Sequence, residues 1–394
     1  MDHTRVEGRH TLSSRAAKVV LDLRDIGRNR RGVARVLTEI GSRLLAWYPD
    51  RYHGICGPGG PALMRDIRGD QVTIIGQHSQ AVFEQITLPL LARRLGAKAV
   101  YSHRECGALW GPPLLLHVPE DPEIRWSKGS AREVMQIVDL GRGVGRERSR
   151  RAYSRLIMNR SLRRCRVVTS TSATAADLQR RHGMPIDRVT VVPLGVDLEH
   201  FRPAGNGQAA ADPYFFHLSS NDPREHSSVV IKAFAYFAAQ TPCPPRLVVA
   251  GDPGPIGPSL HQLTADLGIA EQVDFRGWVT DSDLVRLYAG AAATVMASDD
   301  EGFGLQPLEA MACGSLFVAA PTPATREIAV GAEVEWAPLE AVPMASAFAR
   351  IWADRSRQAR AALVNREVAS RFSWDKTAKQ LHELLGEMAE QNVR

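Results

Sequence analysis

Short apolar runs alternate along this chain with stretches of helical period. Lys18 to Leu23, KVVLDL, is brief, continuous and β-branched, the pattern of a strand covered on both faces. Beyond the Gly- and Arg-rich loop RDIGRNRRG, Val33, Val36, Leu37, Ile40, Leu44 and Leu45 fall on one face of a helix. QVTIIG (71–76), AKAVYS (97–102), PLLLHV (113–118) and RVVTSTS (166–172) predict further strands. TSATAADLQRRHG predicts a capped helix that stops at Gly183, and RVTVVPLGVD (188–197) a strand running into a turn.

Arg202 to Pro213, RPAGNGQAAADP, breaks the pattern with Gly, Ala and Pro and reads as a linker. The alternation then restarts. YFFHLS (214–219), RLVVAG (246–251), VDFRGWV (273–279), ATVMAS (293–298) and LFVAA (316–320) predict strands, separated by the helical patterns VVIKAFAYFAAQ, SLHQLTADLG, DLVRLYAGA and LQPLEAMACG. This predicts an α/β protein of two doubly wound Rossmann-like domains facing across a cleft. Ligands of such sheets bind beyond the carboxyl ends of the strands, so the cleft is the expected site. The expected boundaries are a disordered tail over 1–17, a first domain over 18–201, the linker over 202–213, a second domain over 214–372 and a terminal helix over 373–394.

Composition narrows the class. Of 394 residues, 44% are hydrophobic and 23% charged, which excludes a disordered or fibrous chain. Five cysteines, widely spaced and without a C-x-x-C, exclude a disulfide framework or a Cys-rich zinc module and fit a reducing compartment. No apolar run approaches the ~18 residues of a membrane span, and the polar first residues hold no signal-peptide core, so a cytoplasmic location is expected. Net charge is +6, but Gly141 to Arg166 holds ten Arg against one acid; that segment contributes +9 and leaves −3 elsewhere. One basic patch on a near-neutral chain argues against a nucleic-acid-coating surface. Within it, Tyr153, Leu156 and Ile157 read as the apolar stripe of a helix. The segment is either a solvated helix face or a contact surface for anionic lipid, which would hold the protein peripherally at the inner membrane face.

The densest candidate chemistry is SDDEGFGLQPLEAMACG, Ser298 to Gly314. Gly302 and Gly304 allow close approach of the backbone to a ligand. Pro307 suits the first turn of a helix. The N–H groups of Phe303, Gly304 and Leu305, with the positive helix end, suit a phosphate. Glu301 and Glu309 flank that backbone and can grip sugar hydroxyls on either side.

These residues resemble the retaining GT-B glycosyltransferases of family 4 (glycosyl transferases group 1), in which two glutamates are separated by seven residues. VVPLGVDLEHFRP (191–203), PYFFHLSSNDPREHSSVVIKAF (213–234), VDFRGWVTDSDLVRLYAGAAATVMAS and TREIAVGA (325–332) resemble further segments of that family in order. LDLRDIGRNRRGVARVLTEI resembles the opening of its mannosyltransferase-like members. The resemblance runs from 18 to about 385, dense after 166 and thin between 50 and 165. It implies an acceptor-side first domain, a second domain that binds the nucleotide sugar, and a terminal helix crossing back to the first. Glu301 would contact the donor sugar, Phe303, Gly304 and Leu305 would hold the diphosphate beside Gly302, and Glu309 would hold the ribose. Arg224 would clamp the diphosphate and help it leave. Trp278 and Val279 would lie along the base. His117 would reach from a loop toward the reacting carbon, and Gly27 and Gly32 would line the phosphates or the acceptor.

The implied function is metal-independent sugar transfer with retention, from a nucleotide-diphosphate donor, GDP-mannose being favoured, to a hydroxyl of a glycan, lipid-linked or small-molecule acceptor. Polysaccharide biosynthesis is the setting such enzymes serve. No cofactor or metal is implied, because no D-x-D loop stands in a suitable place and no His/Cys cluster occurs. One departure matters. Where the family commonly has Arg-Lys in the clamp loop, this chain has Pro223-Arg224-Glu225-His226. Glu225 beside two phosphates needs a partner, and His226 is the expected one. Val118 also stands where an Asp often follows the His, and Leu316 where a Pro is common. Glu225 keeps a second class open, a catalytically weak sugar-nucleotide-binding partner protein. A GT-B sugar-nucleotide epimerase is a further reading, and the Glu301–Glu309 pair argues against it.

Overall fold

A computed structural model describes residues 19–27, 32–76, 79–120, 144–203, 213–220 and 222–392. The expected tail over 1–17, most of the linker 202–213 and the start of the basic segment at Gly141 lie outside the described residues.

Two parallel sheets organise the chain. The first contains β1 (Val19–Leu23), β2 (Tyr52–Cys56), β3 (Val72–Ile74), β4 (Ala99–His103), β5 (Leu114–Val118), β6 (Arg166–Thr169) and β7 (Val189–Val191), in the order β3-β2-β1-β4-β5-β6-β7. The second contains β8 (Tyr214–Ser220), β9 (Arg246–Asp252), β10 (Val273–Gly277), β11 (Ala291–Met296), β12 (Phe317–Ala319) and β13 (Val334–Trp336), in the order β10-β9-β8-β11-β12-β13. Both orders are doubly wound, as the strand–helix alternation predicts. The chain packs as two compact units. One holds the residues up to His103 with Gly107–Leu115 and His382 onward; the other holds Arg104–Cys106 with Leu116–Leu381.

In the first unit β1 is wholly buried, with β2 and β4 paired parallel on either side. The helix Gly32–Trp47 buries Val36, Leu37, Ile40, Leu44 and Leu45, the face its spacing predicts. The apolar pattern misses β2, whose sequence YHGIC mixes a polar residue and a glycine into a buried strand. The fold resolves both: His53 Nε2 lies 2.8 Å from Thr73 Oγ1, and Gly54 packs where a Cβ would come 3.0 Å from Leu23. Tyr48 stacks on His382 at 3.7 Å between ring centroids, and Tyr52 Oη lies 2.8 Å from His382 Nδ1.

In the second unit the six-stranded sheet is packed by aromatic side chains: Phe215 stacks on Phe348 at 4.5 Å and meets Phe237 edge-on at 5.5 Å. The helix Ser172–His182 runs as its sequence predicts. Thr171 caps its start through the N–H of Thr174, and Gly183 at φ +61° ends it. Glu327 adds a carboxylate to the same start, accepting from the N–H groups of Ser172 (2.8 Å) and Ala173 (3.1 Å).

The helix Val144–Arg164 corrects one expectation. Its inner face is Ser154, Ile157, Met158, Ser161 and Leu162, whereas Leu156 is 62% exposed. Leu156 sits about 100° around the helix from Ile157, so the two cannot share a narrow stripe. Serines take the inner positions because their hydroxyls find acceptors, Ser161 on the Met158 carbonyl at 2.9 Å and Ser154 on Glu105 at 3.4 Å. Among the described residues no helix is long and apolar enough to cross a membrane.

Candidate active site

β8 and β11 are parallel neighbours, with His217 opposite Val295. Their carboxyl ends therefore release two loops side by side: 222–226 after β8 and 298–304 after β11. The loops are joined where the Asp299 N–H donates to the Arg224 carbonyl at 3.2 Å. This brings Arg224 and Glu301, 77 positions apart in sequence, into one electrostatic neighbourhood.

The 298–314 segment is where the sequence places a phosphate-binding cradle. Gly304 takes φ +94° at the start of the helix Leu305–Ala312, and no side chain caps that end. Its first-turn N–H groups thus have no side-chain cap among the described residues. Pro307 lies in that first turn, where a missing N–H costs nothing. The Phe303 ring is buried and packs edge-on against Phe372 at 5.8 Å, leaving its backbone as the usable part. Glu309 is buried on the same helix. Gly302 serves differently from expectation. A Cβ there would lie 1.9 Å from the Pro119 carbonyl oxygen, so its close approach is to the protein's own backbone. Its carbonyl is held by the hydroxyls of Thr171 (3.0 Å) and Thr174 (3.3 Å).

Glu301 is half-buried. Burial pushes its carboxyl up to about 7, Arg224 and a bond from Ser298 oppose the shift, and the nearby carboxylates of Glu120 and Glu225 add to it. Arg224 is engaged along both edges of its guanidinium. Nε and Nη2 donate to Asp222 at 3.0 and 2.7 Å, and Nη1 donates to Glu120. Burial alone would favour its neutral form, but Asp222, Glu120 and Glu301 together hold it protonated. The expected Glu225–His226 pairing does not form. His226, at φ +37°, places Nε2 3.1 Å from Asp299, while Glu225 accepts from Gln306 Nε2 at 3.4 Å. The reason is the left-handed turn at 226, which aims the imidazole at the 298–304 segment.

The remaining expected site residues are carried by other elements. His117 lies within β5 rather than on a loop, is fully buried, and places Nε2 2.9 Å from Ser170 Oγ. Beyond the carboxyl end of that strand come Pro119, which touches Gly302, and Glu120, which reaches Arg224. Glu120 is the functional candidate the sequence missed; its position just past a parallel strand was the available signal. Trp278 and Val279 line a cavity of about 1330 Å³ with Tyr214, Arg246, Asp274, Arg276 and Trp352, and no residue of 298–314 lines it. Gly27 takes φ +86° and packs 3.3 Å (as a Cβ) from the Pro58 carbonyl, and Gly32 opens its helix. Arg24, beside that loop, is buried on Asp22 (3.0 Å) and over the Phe83 ring at 3.5 Å. Among the described residues no three His, Cys, Asp or Glu side chains converge as metal ligands.

Two Rossmann-like parallel sheets, with a glycine-entered helix end at the carboxyl edge of the second, define the GT-B class of glycosyltransferase folds. Residues 13–200 match the family model Glycosyltransferase Family 4, and residues 202–360 match Glycosyl transferases group 1. The two matches meet at the linker, the one covering the strands of the first sheet and the other those of the second. The chain is similar to D-inositol 3-phosphate glycosyltransferase of Salinispora tropica, 33% identical over 254 residues covering 58% of this chain and 52% of that one. The counterpart from Frankia alni is 36% identical over 170 residues, 39% of this chain and 42% of that one. The chain thus spans about half the length of the curated relatives it matches. Among solved structures, sucrose-phosphate synthase of Thermosynechococcus elongatus superposes with TM-score 0.73 at 18% identity, covering 94% of this chain and 99% of that one. HepE of Anabaena in complex with UDP and glucose superposes with TM-score 0.69 at 19% identity, over the same shares. At these identities the likeness is one of fold.

Proposed function

We propose that the protein transfers a sugar from a nucleotide-diphosphate donor to an acceptor hydroxyl. The observation that carries this reading is the junction of the 222–226 and 298–304 loops. It sets a cationic Arg224 and a raised-pKa Glu301 beside an uncapped helix end. In this reading the helix end and Arg224 take the charge that develops on the leaving diphosphate, the role a divalent ion plays elsewhere. Glu301 grips the sugar and Glu309 the ribose. Retention of configuration follows if the leaving phosphate takes the acceptor proton on the face from which it departs. The UDP named with a structural neighbour supports uridine donors as the first to test, ahead of GDP-mannose. The names of the curated relatives support a phosphate-bearing polyol as the first acceptor. The test is a panel of UDP- and GDP-sugars followed for donor hydrolysis and for transfer, with and without a chelator. Turnover of none of them would remove the transferase reading.

The crowd of carboxylates around Arg224 favours a second reading, a protein that binds sugar nucleotides but turns them over weakly. If wild type binds UDP yet hydrolyses no donor, while Glu225→Lys gains hydrolysis, that reading replaces the first.

A peripheral membrane contact belongs to the same proposal. On the helix Val144–Arg164 the exposed Leu156 stands among the exposed Arg155, Arg160 and Arg163. Each basic residue near an anionic surface adds about 1 kcal/mol. Co-sedimentation with phosphatidylserine-containing vesicles at low salt should show binding that Arg155, Arg160 and Arg163→Ala together abolish. Unchanged binding in the triple variant would return the segment to a solvated face.

A further inference from the structure

Arg224 offers two hydrogen-bonding edges, and they are not equally committed. Asp222 holds the Nε–Nη2 edge from two residues away, in a bidentate arrangement at 3.0 and 2.7 Å that also includes the Arg224 N–H at 3.1 Å. That contact is local and stays with the loop. The Nη1 end is taken by Glu120, which arrives from the carboxyl end of a different strand. The backbone just before Glu120 is fixed, because the Pro119 carbonyl is seated against Gly302 so closely that no Cβ fits between them. Glu120 is therefore an anion delivered to Arg224 by a rigid support, and it also faces Glu301.

We propose that Glu120 is a positioning residue that occupies the outer end of Arg224 in the donor-free protein and must yield it when a nucleotide diphosphate binds. This rests on the transferase or binder reading of the same site and adds a control step to it. The carboxylate stands in for a phosphate oxygen: both accept a charge-assisted bond from the same guanidinium nitrogen. While it is there, Arg224 is held straight and protonated, so it is pre-set for the donor. The same contact makes the donor compete with an internal anion, which lowers apparent affinity as any occupied binding-incompetent state does. Asp222 keeps Arg224 in place once Glu120 lets go.

The test is calorimetric titration of the full-length protein with UDP and with GDP, for wild type, Glu120→Gln, Glu120→Asp, Arg224→Ala and the double variant Glu120→Gln/Arg224→Ala. Glu120→Gln keeps the shape and removes the charge; it should tighten the better nucleotide about three- to tenfold, the scale of one charge-assisted bond released. Glu120→Asp, whose carboxylate falls one methylene short, should lie between the two. In the Arg224→Ala background Glu120→Gln should change nothing. A merely structural role at 120 predicts the reverse, weaker binding and a lower melting temperature. Weaker or unchanged binding in Glu120→Gln, or a gain that survives Arg224→Ala, overturns the proposal while leaving the nucleotide-binding reading intact. Failure of wild type and every variant to bind either nucleotide overturns both.

Discussion

The 302–309 cradle and the 222–226 loop present opposite chemistry to the same space. The cradle works with backbone: Gly304 in the left-handed region, an uncapped helix end and a buried Glu309. Its position is locked, because Gly302 touches Pro119 and its carbonyl carries two threonine bonds. The loop works with side chains, and there acids outnumber bases: Asp222, Glu225 and the incoming Glu120 against Arg224 and His226. Backbone donors cannot be neutralised by a neighbouring mutation, whereas a guanidinium can be pre-empted by any carboxylate within reach. Under the proposed function, anion binding would be fixed in the cradle and adjustable in the loop, which makes the comparison breakable residue by residue.

The largest effect is expected at Arg224. Arg224→Ala removes the one cation that the acids are arranged around and leaves Asp222, Glu120 and Glu301 facing one another. Loss of a group that stabilises developing charge lowers turnover by about 10²–10³. Steady-state kinetics with the best donor checks it; a loss under tenfold would put the diphosphate wholly on the cradle. Next comes Glu309→Ala. A buried carboxylate bound to a ribose hydroxyl contributes about 1.5–3 kcal/mol, so nucleotide affinity in calorimetry should fall by roughly ten- to a hundredfold. Unchanged affinity would take Glu309 out of the site and leave the helix end alone. A smaller effect, of opposite sign, is expected from Glu225→Lys. Glu225 accepts a long bond from Gln306 at 3.4 Å, and its negative charge adds to the load around Glu301. Donor KM should drop several-fold, in line with the modest worth of a partly exposed charge. Unchanged KM and kcat would mean that residue 225 does not face the phosphates.

Much of this contrast was legible before the structure, and unevenly so. Five strands of the second sheet are written in apolar runs that act over a few residues, whereas the three-residue Val334–Trp336 is too short to stand out. The 302–309 segment is marked by local signals too, Gly304 and Pro307 at a helix start, while the roles expected of Glu301 and Glu309 come from the family resemblance. The loop chemistry carries no such mark. Glu120 meets Arg224 across 104 positions, and no periodicity connects them. His226 turns to Asp299 instead of its neighbour because of one positive φ, which a histidine does not announce. His117 reads as a loop residue by resemblance, whereas the strand carries it and buries it beside Ser170. Leu156 reads as core because it is apolar, while buried serines with local acceptors take the inner face.

The smallest predicted effect is also the one that links the two regions. Glu301 has its carboxyl pushed up to about 7 by burial first, with Arg224 lowering it and Glu120 and Glu225 raising it. In the folded protein it therefore holds its proton at pH values where an unfolded chain, near 4.5, has released it. The folded state binds more protons in that window, so this group's contribution to stability falls as pH rises from about 4.5 to about 7. The same titration should be felt by a bound diphosphate. Below about 7 Glu301 is neutral; above it a carboxylate faces the ligand, alongside Glu120, Asp222 and Glu225, with Arg224 and the His226–Asp299 contact on the other side. Donor affinity should thus decline a few-fold as pH rises through about 7, and binding should take up a proportion of a proton. Glu301→Gln, neutral at every pH, should flatten that decline and abolish the uptake, read as the loss of buffer dependence in the binding enthalpy. It isolates Glu301 from His226, which the substitution leaves in place. If the decline persists in Glu301→Gln, the 222–226 loop, not Glu301, sets the pH response.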